Sequence, residues 1–257
     1  MNRLLTLFVL LFGAVTDTSA QDDLFGNTKK EPRKGFVISV NGNFDIPAAD
    51  MAERFGLSYR IGPSVFYKFK SNWIVGTKFD FIFGNDIKEE GFLSNLLDDR
   101  GTVIAENGSR TNFGRLERGY MAGLQVGKIL NFSKTNSDNG LLLLTTAGFM
   151  QHKIFIATER ANGELPQFSG DYRKGYDRLS NGIFVEQFVG YIHFSESGFV
   201  NFKIGFDVVA GFNKGRRDFL YDIQKPGTDS RLDILYGVRG SWFIPIFRRK
   251  SEEYFFQ

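Results

Sequence analysis

Residues 199–212 read FVNFKIGFDVVAGF, and every second side chain from Val200 is apolar: Phe202, Ile204, Phe206, Val208, Ala210 and Phe212 follow it. Asn201, Lys203, Gly205, Asp207, Val209 and Gly211 lie between them. A period of two marks a strand, because successive side chains leave opposite faces. Seven further stretches carry the same alternation: 35–45, 57–69, 73–83, 114–128, 141–156, 182–194 and 231–244. The first opposes Phe36, Ile38, Val40 and Phe44 to Ser39, Asn41, Asn43 and Asp45, and the second sets Tyr59, Ile61 and Val65 against Ser58, Arg60 and Ser64. Stretch 141–156 is mostly apolar on both faces, and 182–194 has no clear phase, although Glu186 is expected to point inward. All eight reach the ~9–11 residues that a tilted membrane-crossing strand needs.

The connections between these strands sort into two kinds. KSN (70–72), the stretch 130–140 and SESG (195–198) are short or modest, whereas 46–56, 84–113, 157–181 and 213–230 are longer. Such alternation predicts an all-β chain: over 35–247, an eight-stranded antiparallel up-and-down transmembrane β-barrel with long outer loops and short periplasmic turns. A soluble sandwich or lipocalin-like barrel is the alternative. Against it stand Lys78, Asp80, Arg115, Glu117, Lys203, Asp207, Asp233 and Arg239, which alternate with apolar neighbours and would require pairing in a dry core. Eight strands leave an interior that side chains can fill. The expectation is a locked polar network in the lumen and no open pore.

Composition agrees. The chain has 29 Phe, 9 Tyr and 29 Gly but only 6 Pro and no Cys. Its mean hydropathy of −0.20 fits strands that are half polar. A net charge of +3 is too small to argue for nucleic acid. MNRLLTLFVLLFGAVTDTSA has the charged start, apolar run and small-residue end of a signal peptide over 1–20. A short periplasmic segment over 21–34 and a periplasmic tail over 248–257 would flank the barrel. That organisation predicts the outer membrane of a Gram-negative bacterium, with both termini periplasmic.

Candidate chemistry is sparse. The two histidines are His152 and His193. His193-Phe194-Ser195 resembles the His-x-Ser arrangement of outer-membrane lipid A deacylases, with Glu196 or Glu186 as the acid, but it falls beside a short inner turn, away from lipopolysaccharide. His152 reads as an interior hydrogen-bonding group. The loop GDYRKGYDRLSNG (170–182) gathers Tyr172, Arg173, Tyr176, Asp177 and Arg178, and GRRDFLYD (215–222) adds Arg216, Arg217 and Asp218. These residues suit ion pairs that order the loops, a partner-protein surface, or phosphate contacts to lipopolysaccharide. Phe92, Leu93, Leu96 and Leu97 predict a short amphipathic helix within 89–101, placed to cap the barrel mouth or else to present an apolar ridge to a partner. Asn107-Gly108-Ser109 is read as a turn. No cofactor motif is present, and no metal or cofactor is expected.

The signal peptide ending at Ala20-Gln21, the eight-strand meander and the long polar loops resemble the small outer-membrane β-barrels of Bacteroidota. QHKIFI (151–156), GDYRKGYDRL (170–179), GRRDF (215–219) and RLDILYGVRGSWFIPIF (231–247) resemble an uncharacterised group of them. The resemblance implies the barrel but no activity, and barrels of this kind often serve as accessory subunits of larger outer-membrane machines. The expected function is therefore non-enzymatic: an accessory or structural subunit docking onto another envelope protein, in contact with outer-membrane lipid and lipopolysaccharide. A lipid-modifying enzyme, deacylase-like or acyltransferase-like, is the alternative, and a small passive pore comes third.

Overall fold

The computed structural model describes residues 31–247 apart from 90, 134–135, 160 and 196–199. The expected signal peptide over 1–20, Glu196 and the expected tail over 248–257 lie outside the described residues. Eight long strands follow in order: β1 (Gly35–Ala49), β2 (Ser58–Lys68), β3 (Trp73–Gly84), β4 (Gly114–Leu130), β5 (Gly140–Ala157), β6 (Ser180–His193), β7 (Phe202–Gly215) and β8 (Ser230–Phe247). Each pairs antiparallel with its chain neighbours, and β8 returns to β1 from Gly35 opposite Phe247 to Ala49 opposite Asp233, closing the ring. Closure leaves no unpaired barrel edge, as a membrane-crossing sheet requires. One register between β2 and β3 is interrupted beside Pro63, which has no N–H to donate.

The chain is a transmembrane β-barrel, and the alternation predicts its two faces. Phe36, Ile38, Val40, Phe44 and Ile46 of β1 stand exposed on the outside, as do Ile204, Phe206, Val208 and Phe212 of β7. No helix among the described residues is long and apolar enough to cross a membrane. The two strands with uncertain phase resolve for a physical reason: β6 buries Phe184, Phe188 and Ile192 beside Glu186, and β5 buries Leu142, Leu144 and Ile154 beside Thr146 and His152. In these strands the lumen face is itself largely apolar, so the contrast between faces disappears.

Long connections gather at one end and short ones at the other. The long-loop end differs from expectation in detail. Residues 91–96 form turns, not the predicted helix. Gly91 (φ 67°) and Leu93 (φ 61°) both adopt left-handed backbone there, which a right-handed helix cannot contain. A helix, α1 (Asp50–Arg54), instead occupies the first loop. Two small strand pairs join Val103–Ile104 to Arg110–Thr111 and Arg217–Leu220 to Lys225–Gly227. The Asn107 side chain accepts from the Ser109 N–H at 2.9 Å and Gly108 has φ 76°, so this segment is a turn.

Candidate functional site

The lumen is filled from end to end, in three zones. At the short-turn end Val37, Phe66, Phe188, Phe194 and Phe243 form an apolar plug with Leu142, Leu144 and Ile192. Lys68 closes it, donating to Asp138 at 2.7 Å, with Arg33 bound to the same carboxylate at 2.6 Å.

Mid-barrel, the polar faces of several strands converge. The Arg60 guanidinium makes a two-point contact with Asp45 (Nε to Oδ2 and Nη2 to Oδ1, both 2.7 Å) and reaches Asp207 at 2.6 Å and Glu186 at 2.8 Å. Arg239 bonds the Glu186 carboxylate closely and Asp207 at 2.8 Å. Lys78 donates to both Glu186 oxygens, at 2.8 and 2.6 Å, and pairs with Asp80 at 2.6 Å. Asn43 donates to both Asp207 oxygens. Lys203 sits over the Phe66 ring, its Nζ 5.4 Å from the centroid. Four cations (Arg60, Lys78, Lys203, Arg239) thus share one buried layer with four carboxylates (Asp45, Asp80, Glu186, Asp207). Seven of the eight are joined by direct ion pairs, while Lys203, with no carboxylate in ion-pair reach among the described residues, rests on the Phe66 ring; together the eight formal charges cancel. A Cβ on Gly237 would collide with the Asp45 and Asp207 carboxylates, so this glycine makes room for the network.

Nearer the long loops the contacts become sparser. His152 Nε2 lies 2.9 Å from Asp233, which also accepts from Asn213 at 2.6 Å. Glu117 accepts from the Ser58 hydroxyl at 2.5 Å, and its second oxygen meets no hydrogen-bond partner among the described residues.

The third zone is a cap built from the loops. Met51, Phe55, Phe92, Leu93, Leu165 and Phe168 bury themselves over the mouth. Arg178 makes a two-point contact with Asp222, at 2.8 and 2.7 Å, and donates to Glu89 at 2.9 Å, joining three loops. Burial pushes its guanidinium down, but the hydrogen bonds it donates to Asp222 and Glu89 outweigh that and hold it above the ordinary arginine value. Arg54 of α1 pairs with Glu89 at 2.9 Å; there burial prevails and lowers the guanidinium. Arg217 grips Asp177 with two bonds of 2.7 and 2.6 Å.

Of the residues singled out from sequence, Lys78, Asp80, Glu117, Lys203, Asp207, Asp233 and Arg239 are buried in the lumen. Arg115 is the correction: it has the lumen-facing parity of β4 but is exposed, because it lies one residue from the start of β4, at the rim. Tyr176, Asp177 and Arg178 lie inside the cap, so they cannot form its surface. Tyr172, Arg216 and Asp218 are exposed, Arg217 is half-buried, and Arg173 donates to the Phe168 carbonyl at 2.9 Å. Arg60, Asp45 and Glu186, the centre of the network, were legible as polar-face residues but not as its hub. Glu89 and Asp222 lie inside the stretches 89–101 and 215–222 but were not singled out there.

His193 Nδ1 lies 3.3 Å from Asn139, while Glu186 is enclosed by Arg60, Lys78 and Arg239 in mid-barrel. Among the described residues, no group of three or more His, Cys, Asp and Glu side chains is arranged to hold a metal ion.

A scan against protein-family models and a search of the curated proteins give no match. Among solved structures, the chain is similar to Neisserial surface protein A, with 9% identity over 82% of this chain and 97% of that one and a TM-score of 0.44. It is also similar to Ail, the attachment invasion locus protein of Yersinia pestis, solved with the heparin analogue sucrose octasulfate (10% identity, 82% and 99% covered, TM-score 0.41). The outer membrane protein OprG of Pseudomonas aeruginosa is a third (8% identity, 85% and 99% covered, TM-score 0.33).

Proposed function

We propose that this is a non-enzymatic barrel of the Gram-negative outer membrane, long loops outside and both termini periplasmic, that docks as an accessory or structural subunit onto a larger envelope protein. The observation that carries this reading is the cap. Buried charge pairs tie its loops together, yet it leaves Tyr172, Phe219, Tyr221, Ile223 and Ile104 exposed. Tyr221 rests edge-on against Tyr176, and its N–H donates to the Gly175 carbonyl at 3.0 Å, so part of the patch is anchored. Large apolar side chains on a preorganised surface lose little entropy on association, which is the economy that protein interfaces use. The sealed lumen supports the same reading, because it leaves the wall and the cap as the working surfaces. A lipid-modifying role has less support: Glu186 is neutralised by three cations and far along its strand from His193.

The test is in-cell photocrosslinking. A photoreactive phenylalanine at Tyr172 or Phe219 should give a discrete adduct with one envelope protein, and the same probe at Ile204 on the barrel wall should not. No adduct from either cap position would defeat cap docking.

A further inference from the structure

We propose that the outer wall formed by β3, β4 and β5 holds the phosphomonoester of an outer-leaflet lipid; this rests on the membrane orientation proposed above. Arg118 of β4 stands directly opposite Lys153 of β5 in the register. The lumen side of β4 carries Glu117 and Met121, and that of β5 carries His152 and Ile154, so Arg118 and Lys153 both leave the outward face. Like charges directly opposite destabilise a sheet, and a cation on a lipid-facing wall adds its own cost. Snorkelling towards headgroups explains one cation at a membrane boundary, but not two face to face.

Among the described residues, neither charge has a carboxylate of its own within ion-pair distance. Arg118 donates to the neighbouring Glu117 carbonyl at 2.8 Å. Lys153 lies 3.9 Å from Asp177, whose carboxylate Arg217 already holds. A third cation is close by: Arg173 stacks over Phe155, two residues along β5 from Lys153, at 5.6 Å.

Beside the pair runs a groove of about 540 Å³, lined by Phe81, Phe83, Tyr120 and Gln151 together with the two cations. Cations at the loop end with aromatic rings alongside match an amphiphile whose anionic head meets Arg118 and Lys153 and whose acyl chain lies on the rings. Two adjacent cations favour a head carrying close to two charges, as a phosphomonoester does, over a singly charged phosphodiester. The occupant is thus an outer-leaflet lipid with a phosphomonoester head.

The experiment reconstitutes the full barrel in phosphatidylcholine nanodiscs doped with diphosphoryl lipid A, dephosphorylated lipid A or phosphatidylglycerol, and measures lipid retained on the extracted protein by native mass spectrometry. The wild type should retain diphosphoryl lipid A at least about tenfold better than the R118Q/K153Q double variant, the worth of roughly one charged hydrogen bond. The other two lipids should be retained equally poorly by both proteins. Equal retention by wild type and variant, or equal retention of phosphatidylglycerol, overturns the site. Heat-modifiability on gels checks that the variant folds; if it does not, R118K/K153R, which keeps both charges, must retain the lipid. Orientation is read separately with Tyr172→Cys, probed on intact cells by a membrane-impermeant maleimide. Absence of labelling there, with selective retention in nanodiscs, would indict the orientation and leave the wall site standing.

Discussion

Glu186 has more at stake than any other lumen residue, because Arg60, Lys78 and Arg239 all close on its carboxylate. Glu186→Gln keeps the shape and removes the charge, leaving three buried cations short of a partner. Breaking a buried pair from one side typically costs about 3–5 kcal/mol. The variant should therefore convert to the unfolded gel form at clearly lower temperature. Glu117→Gln is the matched control: its partner is the Ser58 hydroxyl, and the cost should not exceed about 1 kcal/mol. Equal losses in the two variants would mean that the network contributes no more than an ordinary hydrogen bond. In the loops, the Thr102 N–H and then its hydroxyl hold the Asp98 carboxyl below its ordinary value of 3.8. A depressed carboxyl stabilises the fold above its unfolded value and loses that contribution as pH falls through the folded one. Proteolytic nicking of residues 98–102 should stay constant from neutral pH down to about 4 and rise below it. Thr102→Val should move the Asp98 titration, followed by carboxyl NMR shifts, upward. Sequence alternation places such residues on a side of the wall, but it cannot say how high along the barrel axis they stand. Arg115 shows the consequence, with lumen parity and an exposed side chain.

At the scale of elements, the cap hangs on Arg178, which ties the loop after β5 to Glu89 after β3 and Asp222 after β7. Arg178→Met keeps a long apolar stem and deletes both contacts, stranding the Asp222 side chain, which is fully buried and also accepts the Leu93 N–H at 3.0 Å. Local opening of the cap should become easier by about 3 kcal/mol, roughly a hundredfold in the open population. Limited proteolysis of residues 85–113 should accelerate accordingly, while the barrel keeps its heat-modifiable form. Unchanged cleavage would locate the cap's strength in its apolar cluster instead. The sequence marks the 170–182 loop as unusual through its density of Tyr, Arg and Asp. It cannot name Glu89 or Asp222, because those partners come from loops that meet only when the ring closes. The expected helix in 89–101 fails for a local reason: apolar residues at 92, 93, 96 and 97 satisfy a compact turn as well as a helical face, and Leu93 takes the turn. Conversely, α1 is five residues long, too short to show a helical period.

For the molecule as a whole, strand number and loop asymmetry were legible because each depends on a repeated pattern, and errors in single residues do not accumulate. An even strand count makes the closing pair antiparallel, and β8 does pair antiparallel with β1. Eight strands enclose little space, and three independent layers occupy it: the phenylalanine plug, the charge network and the loop cap. Because the layers are stacked, opening one does not open the others. The wild-type protein in planar bilayers should therefore show no unitary current steps at moderate salt. Arg239→Ala, which thins only the middle layer, should remain silent too, even though its unfolding temperature falls. Reproducible steps from the wild type would require a continuous water path past Phe66, Phe188 and Phe243, all but fully buried in this packing. Steps from the Arg239 variant alone would mean that the charge layer is the real seal and that the plug and cap open around it. Silence from both would assign the seal to the stack and leave the exposed cap and wall as the surfaces through which this barrel acts.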